Sequence, residues 1–136
     1  MSIHRRIIAT SVLAALAAVV GAAAAGELTV ISVEPSSQQI QAARDAPIVV
    51  HFDLPVRRDT VTTQSFWAFG RWSGAIDGEF SFSNDDRTVT LTPSRTYSGG
   101  ETVMVILAHN ITAVSGETMR AGGYSWQFWV RAKPAR

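Results

Sequence analysis

Two histidines, His51 and His109, are the side chains beyond the first 25 residues best suited to proton transfer or metal ligation. They stand on different expected strands, and neither belongs to a motif. The chain has no cysteine, which excludes thiol catalysis and cysteine zinc sites. It also has no G-x-S-x-G elbow, no H-E-x-x-H pair and no phosphate loop. The sequence therefore predicts no catalytic residue, no cofactor and no metal site, with both histidines structural or facing solvent.

The acids invite a calcium reading. Asp77 and Glu79 lie one residue apart, and Asp85 and Asp86 fall together in a turn. Calcium takes six or more oxygens from a converging loop. No Asp-rich loop with the required glycine is present, so these acids read as solvated turn residues. Arg57-Arg58-Asp59 reads as a solvated loop, because two charges make a weak field after screening. Asn110-Ile111-Thr112 is a coincidental match to a glycosylation sequon.

These residues must be held by short strands. The chain has 136 residues, the length of one domain, and a formal charge of +1. Its first 25 residues are set apart by their pattern. Met1 to Arg6 carries Arg5 and Arg6, and Ile7 to Ala25 is apolar and uncharged, ending in Ala23-Ala24-Ala25. This is the architecture of a secretory signal helix, with cleavage expected before Gly26. As a membrane anchor the run is too Ala-rich and lacks a cationic flank on its far side. The expected domains are thus a signal peptide over 1–25 and a β-sandwich over 26–136 with a short C-terminal tail. The mature chain would have no membrane segment, and its place would be periplasmic, cell-surface or extracellular. With no cysteine it can carry neither a lipid at a lipobox nor a disulfide, so its core must suffice. Without Arg5 and Arg6 the charge balance is close to neutral, which argues against a nucleic-acid partner.

Beyond Gly26 the apolar residues recur with period two between turn residues. Seven strands are expected: Leu28 to Val33, Ile48 to Phe52, Phe66 to Trp72, Glu79 to Ser83, Thr88 to Thr92, Thr102 to His109, and Tyr124 to Arg131. Asn84-Asp85-Asp86 tolerates the backbone angles of a tight hairpin and should join the fourth and fifth. Alternation assigns Ile48, Val50, Phe52, Phe80, Phe82, Val89, Leu91, Val103, Val105, Leu107, Trp126 and Phe128 to the core. The expected fold is all-β, an Ig-like antiparallel sandwich of about seven strands, with a small barrel as the alternative.

The order of these segments resembles a known family. Val30-Ile31-Ser32-Val33-Glu34-Pro35 and Ile48 to Val56 are similar to the opening of bacterial Ig-like domains of the SbsA type, found in S-layer and other exported surface proteins. Thr88 to Pro93, Gly100 to Val105, Ser115-Gly116-Glu117 and Tyr124 to Phe128 resemble that family's fifth strand, sixth strand, penultimate loop and closing strand. The resemblance spans residues 28 to 131. It implies a non-enzymatic spacer or adhesive module, usually set beside other modules, whereas this chain stops at Arg136 after Lys133-Pro134-Ala135.

Two functional classes follow. One is a structural or protein-docking module with a protein partner or neighbouring domain; the other is a module that binds carbohydrate or peptide. A third, periplasmic copper carriage, belongs to another family of small exported sandwiches, whose site uses a histidine at the mature N-terminus. Here that end would read Gly26-Glu27-Leu28, and only Met104 and Met119 remain to supply sulfur. If Phe66, Val103, Val105, Trp126 and Phe128 point inward, alternation turns Trp67, Phe69, Met104, Ile106 and Trp129 outward. The third, sixth and seventh strands are neighbours in an Ig-like sandwich, so these five residues should form one candidate interface.

Overall fold

The computed structural model describes residues 26–132. The expected signal helix over 1–25 and the end of the tail lie outside the described residues. Eight strands form: β1 (Val30–Glu34), β2 (Ile48–Phe52), β3 (Phe66–Gly70), β4 (Gly74–Ala75), β5 (Gly78–Ser83), β6 (Thr88–Pro93), β7 (Thr102–Leu107) and β8 (Tyr124–Trp129). They make two four-stranded sheets, ordered β1-β2-β6-β5 and β4-β3-β7-β8, with every named pair antiparallel. That is a sandwich rather than a closed barrel, and its strand order is the one an Ig-like topology requires. Among the described residues the helical structure is a single 3-10 turn at Arg58–Thr60.

The period-two pattern sets the register. In β2, Ile48, Val50 and Phe52 are buried while Val49 and His51 are half-buried on the opposite side. Val89, Leu91, Val103, Val105, Leu107, Trp126 and Phe128 are likewise buried. Phe80 and Phe82 correct the expected core: both point inward but are only partly buried. The cause is position, since β5 is the last strand of its sheet and its counterpart across the sandwich, β4, has two residues. Phe80 packs on Phe66 with ring centroids 5.3 Å apart, and the Arg58 guanidinium covers Phe82 at 5.1 Å.

The strand ends also shift. β3 stops at Gly70, so Arg71-Trp72-Ser73 becomes a turn and Trp72 is exposed. The eighth strand, β4, was too short for a periodic signal to reveal. β1 starts at Val30 and carries a register irregularity between Val30 and Ser32, which breaks strict alternation. After β1 the chain crosses to the other sheet: Ala42 pairs in parallel with Val130, and Gln38 and Ala42 donate to the carbonyls of Gln127 and Trp129. The outer edge of β8 is thereby covered. In the hairpin between β5 and β6, Asn84, Asp85 and Asp86 have φ of 53°, 56° and 60°, the left-handed conformation that Asn and Asp accept more readily than other side chains.

Candidate functional site

The outer face of the β4-β3-β7-β8 sheet gathers the five residues that alternation turned outward. Because β3 pairs with β7 in register, Trp67 stands beside Ile106 and Phe69 beside Met104. The β7–β8 register puts Thr102 beside Trp129, Met104 beside Gln127 and Ile106 beside Ser125. Trp67, Phe69 and Met104 are 38%, 40% and 38% exposed, and Ile106 and Trp129 are half-buried. The inward partners on the same strands, Phe66, Ala68, Val103, Val105, Trp126 and Phe128, are core.

One end of this face is a groove of about 490 Å³ lined by Phe69, Gly70, Arg71, Thr102, Met104, Gln127 and Trp129. Two aromatic rings, from β3 and β8, stand on either side of the thioether and hydroxyl supplied by β7. Arg71 continues the β3–β7 ladder by donating its N–H to the Thr102 carbonyl at 2.9 Å.

Directly inside this end lies Glu101, a fully buried carboxylate. Its Oε1 accepts the N–H groups of Trp72 and Ser73, both at 2.9 Å. Its Oε2 accepts the Ser73 hydroxyl at 2.5 Å and the Ser98 N–H at 2.7 Å. Burial pushes this carboxyl's pKa up, but the hydroxyl and three N–H groups outweigh it and hold the group below its ordinary range. The carboxylate is thus a brace for the Arg71-Trp72-Ser73 turn. Next to it, buried Tyr97 donates to the Ala46 carbonyl at 2.7 Å and packs edge-on against Phe128. Burial first, and the charges of Glu101 and Asp45 after it, push the phenol's pKa far up, so it remains a donor.

The other residues of chemical interest are dispersed. His51 lies on the outer side of the opposite sheet, bonded to Glu34 at 2.7 Å and to Thr88 at 3.1 Å. His109 is exposed in the turn after β7. Asp86 and Arg58 form an exposed ion pair at 3.0 Å, and Arg57 meets Asp59 at 3.5 Å, so the Arg57-Arg58-Asp59 loop is paired rather than merely solvated. Among the described residues no group of three or more His, Asp or Glu converges as a metal site. A second groove, about 590 Å³, opens between the sheets where β3 and the short β4 face the β5 edge, and is lined by Phe66, Trp67, Ile76 and Phe80 among others.

Sequence reasoning placed the five outward residues but missed Arg71, Thr102 and Gln127 as their polar companions, and missed Glu101. The companions were recoverable from the same alternation, since residues 71, 102 and 127 share the parity of Phe69, Met104 and Trp129. Glu101 had one signal, a lone acid between a glycine pair and an apolar strand, which reads equally well as a turn residue.

Comparison with solved structures finds the same sandwich in larger and smaller proteins. Native Escherichia coli alpha-2-macroglobulin matches with a TM-score of 0.61 at 18% identity, over 83% of this chain and 7% of that one. Domains 1–6 of the surface layer protein SbsC match at 0.59 and 21% identity, over 82% of this chain and 14% of that one. CopC from Methylosinus trichosporium OB3b matches at 0.60 and 14% identity, over 81% of this chain and 99% of that one. At these identities the likeness shows the fold alone. This chain spans a small fraction of the first two proteins. No curated protein matches. The sequence model of the bacterial Ig-like domain, however, matches residues 24–130, so with its two-sheet Ig-like sandwich the chain belongs to the bacterial Ig-like domain family.

Proposed function

We propose that this chain is a non-enzymatic, exported Ig-like module that spaces or docks partners at the cell envelope or outside the cell, binding through the outer face of the β4-β3-β7-β8 sheet. The single observation carrying the reading is the set Trp67, Phe69, Met104, Ile106 and Trp129, which share one face of three adjacent strands, three of them exposed and two half-buried. Trp, Phe and Met are the residue types enriched at interface centres. Export is supported by the charged start, apolar run and small-residue end of residues 1–25. The similarity to SbsC favours a surface-layer setting of the SbsA type, and the partner is a protein, a neighbouring domain or a glycan.

Copper carriage draws no support from the shared fold with CopC, because function follows the site rather than the fold. His51 and Met104 project from opposite outer faces and cannot share an ion. A copper titration followed by visible absorbance should show no new band.

The docking reading is tested by glycan-array and pull-down screening of the purified protein beside its Trp129→Ala variant. Association that the variant loses, at a nearly unchanged melting temperature, supports it. Association that survives Trp129→Ala and Phe69→Ala alike overturns it.

A further inference from the structure

The sandwich has two edge strands per sheet, β1 and β5 in one, β4 and β8 in the other. An edge strand presents unpaired N–H and C=O groups to any strand that comes alongside, and three of these four edges are protected. β1 carries its irregularity between Val30 and Ser32 and runs into Pro35, β4 has only two residues, and β8 is covered by the segment 38–42. β5 has no such device. Its six residues pair with β6 in unbroken register from Gly78 to Ser83, without proline, and the side chains it turns inward are Phe80 and Phe82 rather than charges. The Phe52 N–H donates to the Arg87 carbonyl at 2.7 Å, and the Ser94 N–H to the Asp77 carbonyl at 2.9 Å. Main-chain direction alternates along a strand, so these two bonds fix which residues of β5 face β6. Gly78, Phe80 and Phe82 turn their N–H and C=O groups the other way, to the open edge, and no turn or loop bonds to them among the described residues. The same edge borders the inter-sheet groove, where half-buried Phe80 lies on Phe66.

An open ladder is completed by another strand, and the register selects a second copy of β5. Outward-turned residues must oppose outward-turned residues. An antiparallel second copy centred on Phe80 satisfies this: Gly78 of each copy faces Phe82 of the other, Phe80 faces its own equivalent, and each pair exchanges two main-chain bonds. A glycine opposite an aromatic ring is a favourable edge pairing, because the ring covers the backbone that glycine leaves bare. Gly78 cannot be another residue, since a Cβ there would overlap the Thr92 carbonyl oxygen. On the outer side of the sheet exposed Glu79 faces exposed Ser81 of the second copy, and the two Glu79 carboxylates lie only on a diagonal. Centring the pair one residue earlier, on Glu79, sets those carboxylates directly opposite each other; centring it one residue later, on Ser81, loses both glycine–phenylalanine pairs. The β5 edge is therefore self-complementary in one register.

We infer that the chain self-associates through β5, two copies joining their β1-β2-β6-β5 sheets edge to edge about a two-fold axis at Phe80, away from the outer face of the other sheet. The contact is one strand wide, which places it among weak, concentration-dependent interfaces. Sedimentation equilibrium of the purified protein should show a monomer when dilute and a growing dimer fraction toward about 1 mM. Ser81→Glu, at an exposed position, sets a like charge opposite Glu79 at both symmetric sites and should weaken the dimer about five-fold, whereas Ser81→Lys sets an opposite charge there and should strengthen it. A double variant, Glu79→Cys with Ser81→Cys, gives a covalent readout in a chain without other cysteines. The facing positions lie about 4.5 Å apart, within disulfide span, so mild oxidation should trap a dimer. Glu79→Cys alone, whose equivalents stand about 7–8 Å apart on the diagonal, should not. Three results overturn the inference: a monomer at every concentration; a dimer indifferent to both charge changes, which places the contact on another surface; or a double variant that traps no dimer. If the chain stays monomeric while an alternating valine–threonine hexapeptide slows amide exchange at Phe80 and Phe82, the second copy falls as the occupant and a foreign strand replaces it.

Discussion

The backbone of Gly70 lies against the carboxylate of Glu101, so close that a Cβ at position 70 would stand within van der Waals distance of the carboxyl carbon and both its oxygens. The two positions therefore constrain each other. Gly70→Ala should push the carboxylate off its donors and cost about 2 kcal/mol or more, as overpacking a filled site does. Glu101→Gln should cost about 3 kcal/mol, because an amide cannot accept from all four donors and leaves at least one buried N–H unpaired. Urea denaturation of both variants measures this; a loss under 0.5 kcal/mol in either, on the order of an ordinary surface change, contradicts the brace.

The same carboxylate sets an acid limb. Its folded pKa lies below the unfolded value of roughly 4.3, so the carboxylate's contribution is fully present above that pH and is lost as pH falls through the folded value. Wild type and Glu101→Gln should therefore differ most near neutrality and converge below about pH 4. A gap that stays constant from pH 7 to pH 3 would show that the charge of Glu101 is irrelevant to folding.

Tyr97 makes the opposite prediction at the alkaline end. Its folded pKa is raised, so its contribution is present below the unfolded value of roughly 10 and declines as pH rises beyond it. Tyr97→Phe should cost about 1 kcal/mol at pH 7, the worth of its bond to the Ala46 carbonyl. It should also lose less stability than wild type between pH 9 and pH 11. Equal alkaline sensitivity of the two proteins would place the titrating group elsewhere.

The architecture was legible because period two fixes the face of every outward residue once one core residue per strand is known. Val50 and His51 illustrate this, buried and half-buried on adjacent positions as the pattern requires. What alternation cannot tell is whether anything stands opposite an inward residue. Phe80 and Phe82 turn inward at the β5 edge, where the facing sheet ends in the two-residue β4. Glu101 was hidden for a different reason: its donors come from Trp72, Ser73 and Ser98, a grouping that exists only after β3 and β7 have paired.

That difference between facing inward and being covered can be measured in one aromatic pair. Phe66 is buried within the core, and Phe80, in contact with it, is half-exposed at the mouth of the inter-sheet groove. Phe66→Ala should cost about 3–5 kcal/mol, the range for a buried Phe. Phe80→Ala should cost half of that or less, since part of its ring is already in water. Equal losses would mean that the groove is closed in solution.

The two tryptophans of β8 separate stability from binding. Trp126 is buried, pairs across the sheet with Val105, and donates its indole N–H to the Pro35 carbonyl at 2.9 Å, tying β1's end to the opposite sheet. Trp129 lies three residues on and faces the other way, half-buried on the outer face. Trp126→Phe keeps the aromatic bulk but strands the carbonyl and leaves a gap, so it should lower stability by about 2 kcal/mol. Trp129→Phe should stay within about 0.5 kcal/mol of wild type, as changes at partly exposed sites do. Binding should respond in the reverse order, with Trp129→Phe weakening a ligand of the outer face and Trp126→Phe leaving it unchanged under conditions where that variant is fully folded. If instead the Trp126 variant loses binding while folded, the ligand is read through the rigidity of the sheet rather than through the exposed ring, and the outer-face site is misplaced.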